Sequence, residues 1–137
     1  MTSQVTTKSN QTTEIALFAL RWIIISIFLY HGIPKAINWG FAAEKFVGFG
    51  LPGFLGPITG IAEVIASGFL IVGFQNRWVN YLLMFIMAGA IATVQLPGAV
   101  KALEYTAGLE RDLMILIGCW VSAVFGPGLF SLDRSNK

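Results

Sequence analysis

Long apolar stretches alternate with short polar connections along this chain. A helix needs about 20 mostly apolar residues to cross a hydrocarbon core of about 30 Å. Three stretches reach that length: Ile15 to about Ile33, Phe54 to Phe74, and Trp78 to Leu96. The connection between the second and third is short and polar, and Pro97-Gly98 is expected to end the third. The pattern therefore predicts that each of these three stretches forms a membrane-spanning helix.

A fourth apolar run, Leu113 to Phe125, is too short to span alone. It must extend forward through residues 126–128 or back over residues 109–112. We expect the backward extension, which places its charged residues at the membrane surface. The fold class is therefore predicted to be an all-α membrane protein, a bundle of four transmembrane helices. A short interfacial segment within residues 41–51 is expected between the first and second helices.

The domain organisation follows from this pattern. Residues 1–13 are polar and lack apolar periodicity, which predicts a disordered N-terminal tail. Residues 14–131 are predicted to form a single four-helix membrane domain, and residues 132–137 a C-terminal tail. No small-residue cleavage site follows a short apolar core, so a cleaved signal peptide is not expected.

Composition supports a membrane protein and excludes several functional classes. The 137 residues are 55% hydrophobic and 12% charged, with a mean hydropathy of +0.72, whereas about a quarter of the residues of a soluble domain are charged. A net charge of +2 argues against a nucleic-acid partner. The single Cys and single His exclude an intramolecular disulfide, a cysteine-based metal site and a bis-histidine haem within one chain. Neither a metal site nor a covalently bound cofactor is expected.

Charge placement suggests an orientation. Four spans put both termini on one side of the membrane. Arg77 in the short connection, with Arg134 and Lys137 in the tail, favours the cytoplasm for that side. The basic residues near the opposite face are Lys35, Lys45, Lys101 and Arg111. The chain is therefore expected in a cell membrane with cytoplasmic termini.

Two charged residues lie at membrane depth and are expected to pair. An ionisable side chain inside a span costs roughly 2.5–3.5 kcal/mol, so it usually faces other helices and has a partner. Glu63 is near the centre of the second span, and Arg21 lies inside the first. We expect an Arg21–Glu63 ion pair between these helices. Such a pair fixes helix register; the alternative is a proton or ligand site.

A second group of polar residues gathers toward the opposite face. His31 and Lys35 are four residues apart, so they share one helix face. Pro34 removes a backbone hydrogen bond, which would leave a carbonyl near Tyr30 free for a ligand. Gln95 ends the third span at the same face. Topology therefore places His31, Lys35, Tyr30 and Gln95 together as candidate ligand-binding residues.

The chemistry of this group suits a quinone. An imidazole and an ammonium beside apolar walls can bind a quinone carbonyl or another small polar head on an apolar body. Residues 110–112, an acidic–basic trio at the start of the fourth span, lie at the same face. The alternative is structural: His31 would hydrogen-bond a neighbouring helix, and Lys35 would extend toward the interface. The sequence identifies no catalytic residue.

Several short motifs resemble those of the DoxX-like four-helix membrane proteins. In chain order they are Arg21, His31-Gly32 with Lys35, Gly50-Leu51-Pro52, Gly60-Ile61-Ala62-Glu63 with Gly68, Arg77, and Gly126-Pro127-Gly128 with Ser131-Leu132-Asp133. The resemblance covers nearly the whole chain after residue 13. One departure is Ser67, where the family often has a second glycine.

The resemblance implies a bacterial or archaeal membrane protein and points to Arg21, His31, Lys35 and Glu63. Some relatives are subunits of a quinone-linked oxidoreductase, and others belong to membrane redox-stress complexes. The first hypothesis is therefore an accessory subunit of a quinone-linked redox complex, with electrons from a partner because the sequence carries no evident flavin or metal motif.

Two alternatives remain open. One is a non-catalytic scaffold or assembly subunit of another membrane complex. The other is a small-solute carrier, which is suggested by an ionisable residue, Glu63, expected inside the membrane. The lipid bilayer is an expected partner in each case, together with other membrane subunits or further copies of the chain.

Overall fold

A computed structural model describes the backbone of residues 2–135 and the side chains of residues 10–133. Over residues 2–135 the chain is helical, without a β-strand. The helices are α1 Thr2–Ile37, α2 Trp39–Gly48, α3 Leu55–Val72, α4 Asn76–Ala90, α5 Leu96–Ala102, α6 Ala107–Phe125 and α7 Leu132–Ser135, with a π-helical turn, Ile91–Gln95, between α4 and α5. The predicted all-α class is confirmed.

Helix α1 begins earlier than the sequence pattern indicates. Its backbone is helical from Thr2, where the sequence predicts a disordered tail over residues 1–13. Once the apolar part of a helix has formed, each further residue adds a hydrogen bond without a new nucleation step. At the other end of the chain, α7 lies within the predicted tail, and residues 136–137 lie outside the described part.

A short helix joins the first two long helices, where the sequence predicts a separate segment. The side chain of Asn38 accepts a hydrogen bond from the backbone N–H of Phe41 and so caps the start of α2. Ala42 is the buried residue of α2. It packs against Gly56 of α3, where a Cβ would collide with the Ala42 backbone. A close contact between two small residues therefore helps to attach α2 to α3.

The third long segment does not end at Pro97. Helix α4, the π-helical turn and α5 follow one another over residues 76–102, and Pro97 lies at the second position of α5. A proline lacks the N–H that a continuing helix needs, and its ring crowds the carbonyl four residues earlier. The wider π-helical turn directly precedes this position, as expected where a helix accommodates such a disruption.

Three helical segments of the described chain are long and apolar enough to cross a membrane: Asn10–Ile37, Leu55–Val72 and Asn76–Ala102. Helix α6 has 19 residues but carries Glu110, Arg111 and Asp112 near its start. Helix α1 packs chiefly against α3, and α4 against α6. The core between them includes Ile24, Ile25, Phe28, Leu70, Leu83, Ile115 and Cys119.

Candidate functional site

An intramembrane ion pair joins α1 and α3, but with a different cation from the expected one. The Nζ of Lys35 lies 2.6 Å from Oε1 of Glu63. Glu63 is 4% exposed, whereas the side chain of Lys35 is 21% exposed. The predicted Arg21–Glu63 pair is wrong because Arg21 bonds elsewhere. Since α1 continues through Pro34 to Ile37, Lys35 remains on the helix and reaches the Glu63 carboxylate.

Two glycines allow the helices to approach closely around this pair. A Cβ on Gly60 would lie 2.5 Å from the Cβ of Lys35 and 2.7 Å from the backbone nitrogen of Ala36. A Cβ on Gly32 would lie 2.9 Å from the Cβ of Glu63. The glycines thus bring α1 and α3 close enough for the 2.6 Å contact. The second carboxylate oxygen of Glu63, Oε2, is buried without a hydrogen-bond partner among the described residues.

Arg21 binds backbone carbonyls near the end of the chain. Its Nη1 donates to the carbonyl oxygen of Pro127 at 2.7 Å, and its Nη2 donates to those of Leu129 and Phe130 at 3.1 and 2.9 Å. Arg21 is 1% exposed, and its guanidinium also lies over the ring of Phe18. The planar donor fork of arginine suits several acceptors in a fixed arrangement. Arg21 therefore positions the segment after α6.

The same segment caps the start of α4. Both carboxylate oxygens of Asp133 accept backbone hydrogen bonds, from Gln75 at 2.9 Å and from Asn76 at 2.7 Å. The first N–H groups of a helix have no partner within it, and a carboxylate there is also favoured by the helix dipole. Gly128 lies against the backbone of α1, where a Cβ would collide. The C-terminal motif that resembles the family, Gly126-Pro127-Gly128 with Ser131-Leu132-Asp133, thus has a structural role.

A buried amide–hydroxyl network joins α4 to α6, and sequence reasoning missed it. The side-chain amide of Asn76 donates to the carbonyl of Ser122 at 2.7 Å, and that of Asn80 donates to the Ser122 hydroxyl at 3.2 Å. All three residues are at most 1% exposed. The available signal was the spacing of four between the asparagines at the start of an apolar helix, which places both on one face.

His31 and Tyr30 lie on the outer surface of α1 rather than inside the bundle. Both residues are exposed, and their rings meet edge to face with centroids 5.2 Å apart. His31 lies within electrostatic range of Lys35 and of the Arg111–Asp112 pair. Pro34 cannot supply an N–H to the Tyr30 carbonyl. These groups are therefore accessible from outside the bundle.

Gln95 pairs with a buried acid at the start of α6. Its Nε2 donates to Oδ2 of Asp112 at 2.8 Å, while Nε of the half-exposed Arg111 donates to Oδ1 at 2.9 Å. Asp112 is buried. Gly108 leaves room for the Gln95 amide, since a Cβ there would lie 2.5 Å from Oε1. The π-helical turn that ends at Gln95 thus directs this side chain onto α6.

Together these groups form a polar layer near one end of the bundle. It combines the Lys35–Glu63 pair, the Gln95–Asp112–Arg111 chain and the exposed His31. Its most accessible donors are the His31 ring, the Lys35 ammonium and the Arg111 guanidinium. Such donors can bind a carbonyl or another acceptor at the boundary between protein and lipid. This fold and polar layer define a helical membrane protein with paired ionisable groups inside it.

Comparison with known proteins identifies the family. The DoxX family model matches residues 16–96, more than half of the chain. The chain belongs to the DoxX family.

Two relatives extend over most of this protein. One, from Bacillus subtilis (strain 168), is named "Putative oxidoreductase CatD"; it is 30% identical over 124 residues, which cover 90% of this chain and 89% of the relative. Another, from Mycobacterium tuberculosis (strain ATCC 25618 / H37Rv), is named "Uncharacterized membrane protein Rv3486". It is 27% identical over 130 residues, which cover 87% of this chain and 80% of the relative. No solved structure matches.

Proposed function

We propose that this DoxX-family chain is an accessory subunit of a redox complex in a bacterial or archaeal cell membrane, and that it binds a quinone headgroup beside His31 and Lys35. One relative is named as an oxidoreductase, which supports the reaction class. The observation that carries the proposal is the exposure of His31 on the outer surface of α1, with Lys35 of the Lys35–Glu63 pair one helical turn away.

The donors available at this position match a quinone carbonyl. A lysine ammonium carries three donors, and Glu63 takes one of them from Lys35. The His31 ring can donate a second hydrogen bond to the same headgroup. Tyr30 offers an aromatic edge beside it. The apolar tail of the quinone would remain in the lipid, so the site needs no enclosed cavity. Electrons reach the quinone from a partner subunit.

The proposal includes α6 as a fourth span. Its 19 residues extend about 28 Å at 1.5 Å per residue; the apolar residues 113–125 account for about 20 Å of this, so the first turns of the helix are needed to reach the membrane surface. Thr106 caps the helix by accepting a hydrogen bond from Leu109. The charged residues 110–112 would then lie at the membrane surface near His31. Both termini would lie in the cytoplasm, as the basic residues of the tail and of the short α3–α4 connection favour.

A binding measurement tests the quinone site. The full chain in mild detergent is titrated with decylubiquinone, alongside His31→Ala and the control Ile33→Ala. Ile33 is exposed near the same end of α1 but offers no hydrogen bond. We expect His31→Ala to weaken binding about tenfold, the equivalent of about 1.4 kcal/mol, while Ile33→Ala leaves it unchanged. Equal affinity of the wild type and His31→Ala would reject the site.

One observation favours a second candidate, a non-catalytic scaffold subunit. The buried charged groups bond within the chain: Arg21 to backbone carbonyls, Glu63 to Lys35, and Asp112 to Gln95. Such pairing suits a structural role as well as a functional one. Purification from native membranes in mild detergent distinguishes the candidates. A scaffold copurifies with partner polypeptides and binds no quinone, whereas recovery as the isolated chain would count against a scaffold.

A further inference from the structure

A cleft of about 650 Å³ lies at the other end of the bundle, away from His31. It opens where α4 begins and α6 ends. Its charged lining residues are Glu14, Arg77 and Asp133, and its large aromatic ones are Trp78 and Phe125. The volume falls within the range of about 300–1,000 Å³ typical of ligand sites. The proposed quinone site does not use any of these residues.

The charged side chains described in the cleft differ in how far contacts within the chain already occupy them. Both oxygens of Asp133 accept backbone N–H groups at the start of α4, so the helix dipole offsets its charge. Arg77 is exposed and contributes one positive charge. Glu14 contributes one negative charge; it already takes part in an interaction, but a carboxylate has about four acceptor positions. Among the described lining residues, Arg77 can therefore donate to a ligand, and the remaining acceptor positions of Glu14 can accept from one.

Aromatic side chains place the cleft at the level of the lipid headgroups. Trp78 is 68% exposed and Phe125 is 69% exposed. Trp78 stands two residues into the apolar segment that begins at Asn76, and tryptophan is enriched at the membrane–water interface. Acyl chains lying beside Trp78 and Phe125 would leave a phospholipid headgroup next to Arg77 and Glu14.

We propose that this cleft binds phosphatidylethanolamine, with the phosphate on Arg77, the ammonium on Glu14 and the acyl chains along Trp78 and Phe125. The headgroup carries one charge of each sign, and the described lining offers a guanidinium for its phosphate and a carboxylate for its ammonium. Its primary ammonium donates hydrogen bonds to a carboxylate, which a choline headgroup cannot do. Phosphatidylglycerol has no positive group for Glu14. The site is independent of the quinone site, so either can fail without the other.

Quenching of Trp78 fluorescence tests the assignment. The exposed Trp22, Trp39 and Trp120 are replaced by Phe, so that emission comes from Trp78 alone. The full chain is reconstituted in phosphatidylcholine vesicles that contain equal mole fractions of brominated phosphatidylethanolamine, phosphatidylcholine or phosphatidylglycerol. We expect the strongest quenching from phosphatidylethanolamine, with inorganic phosphate unable to reverse it. Equal quenching by the three lipids, stronger quenching by phosphatidylglycerol, or reversal by phosphate would overturn the proposal.

Substitutions in the cleft complete the test. Glu14→Gln is expected to reduce quenching by phosphatidylethanolamine to the phosphatidylcholine level, because Glu14 is the acceptor for the ammonium; Arg77→Gln should weaken quenching by all three lipids, while Lys101→Gln, outside the cleft, leaves the preference intact. A preference that survives Glu14→Gln overturns the assignment. Native mass spectrometry of the chain with all four tryptophans, in the same three lipids, provides a second measurement if the Phe variant does not fold. It should show preferential retention of phosphatidylethanolamine, and its absence there also overturns the proposal.

Discussion

The ammonium of Lys35 lies 2.6 Å from the Glu63 carboxylate, yet the two side chains are unequally buried: the Lys35 side chain is 21% exposed and that of Glu63 only 5%. The lysine can move its head toward the membrane surface if its partner is lost. The glutamate has no such freedom, because α1 and α3 close around it at Gly32 and Gly60. The pair is therefore expected to respond asymmetrically to mutation.

The first prediction compares the loss of stability when either partner of this pair is replaced. Lys35→Met leaves a buried carboxylate without its cation, and breaking a buried pair in this way typically costs about 3–5 kcal/mol. Glu63→Gln leaves a partly exposed ammonium and a neutral amide, so its cost should be clearly smaller. Thermal unfolding in detergent can be followed by the reaction of buried Cys119 with a thiol-specific dye. Equal losses in the two variants would contradict the asymmetry.

The second prediction concerns close helix packing. In Gly60→Ala the new methyl group would lie 2.7 Å from the backbone of α1, so α1 and α3 must separate and the Lys35–Glu63 contact lengthens. Gly68→Ala is the matched control on the same helix, because a Cβ there meets no atom within 4 Å. We expect Gly60→Ala to lower the unfolding temperature.

The control should leave the unfolding temperature unchanged or raise it, because alanine in a helix is favoured over glycine by up to about 1 kcal/mol. Equal unfolding temperatures for Gly60→Ala and Gly68→Ala would show that α1 and α3 are not held in close contact at Gly60.

Sequence reasoning identified the buried charged residues but assigned the wrong partner. Depth along a helix follows from residue number, so Glu63 was correctly expected inside the bundle. The direction of a side chain around the helix depends on packing, and Arg21 faces the chain after α6. Its acceptors are backbone carbonyls, which leave no mark in a side-chain pattern. Lys35 was expected near the interface because the predicted span ended at about Ile33, but α1 continues to Ile37.

Other parts of the site were predictable to different degrees. Topology placed Gln95 at the face that carries Asp112, and the structure joins the two by a 2.8 Å hydrogen bond. The π-helical turn that directs Gln95 there has no simple sequence pattern. Pro97 was therefore interpreted as a helix end, although the helical segment continues beyond it.

The third prediction addresses Arg21. Arg21→Lys keeps the charge but replaces a planar fork of donors by a single ammonium, which cannot match the three carbonyls of Pro127, Leu129 and Phe130. Hydrogen bonds from charged groups are worth about 1.5–3 kcal/mol each. We therefore expect the free energy of unfolding to fall by at least the value of one such bond. Arg77→Lys, at an exposed position, is the control.

Limited proteolysis adds a local measurement to the thermal unfolding of the Arg21 variant. The segment after α6 should be cleaved faster in Arg21→Lys than in the wild type or in Arg77→Lys. Unchanged stability together with unchanged cleavage would mean that the three carbonyl contacts do not hold this segment in place.

The fourth prediction tests whether α6 crosses the membrane. In a Cys119→Ala background, single cysteines replace Asn10, Lys101 or Lys137, and an impermeant maleimide labels intact or lysed cells. If α6 spans the membrane and the termini are cytoplasmic, the cysteine at position 101 is labelled in intact cells, whereas those at positions 10 and 137 react only after lysis. If α6 instead lies on one surface, positions 101 and 137 share the same side. The packing of α6 against α4 favours the first result. Helix α6 bonds to the membrane-spanning segment 76–102 at two levels, through Ser122 with Asn76 and Asn80 and through Asp112 with Gln95, which a helix lying flat on one surface could not do.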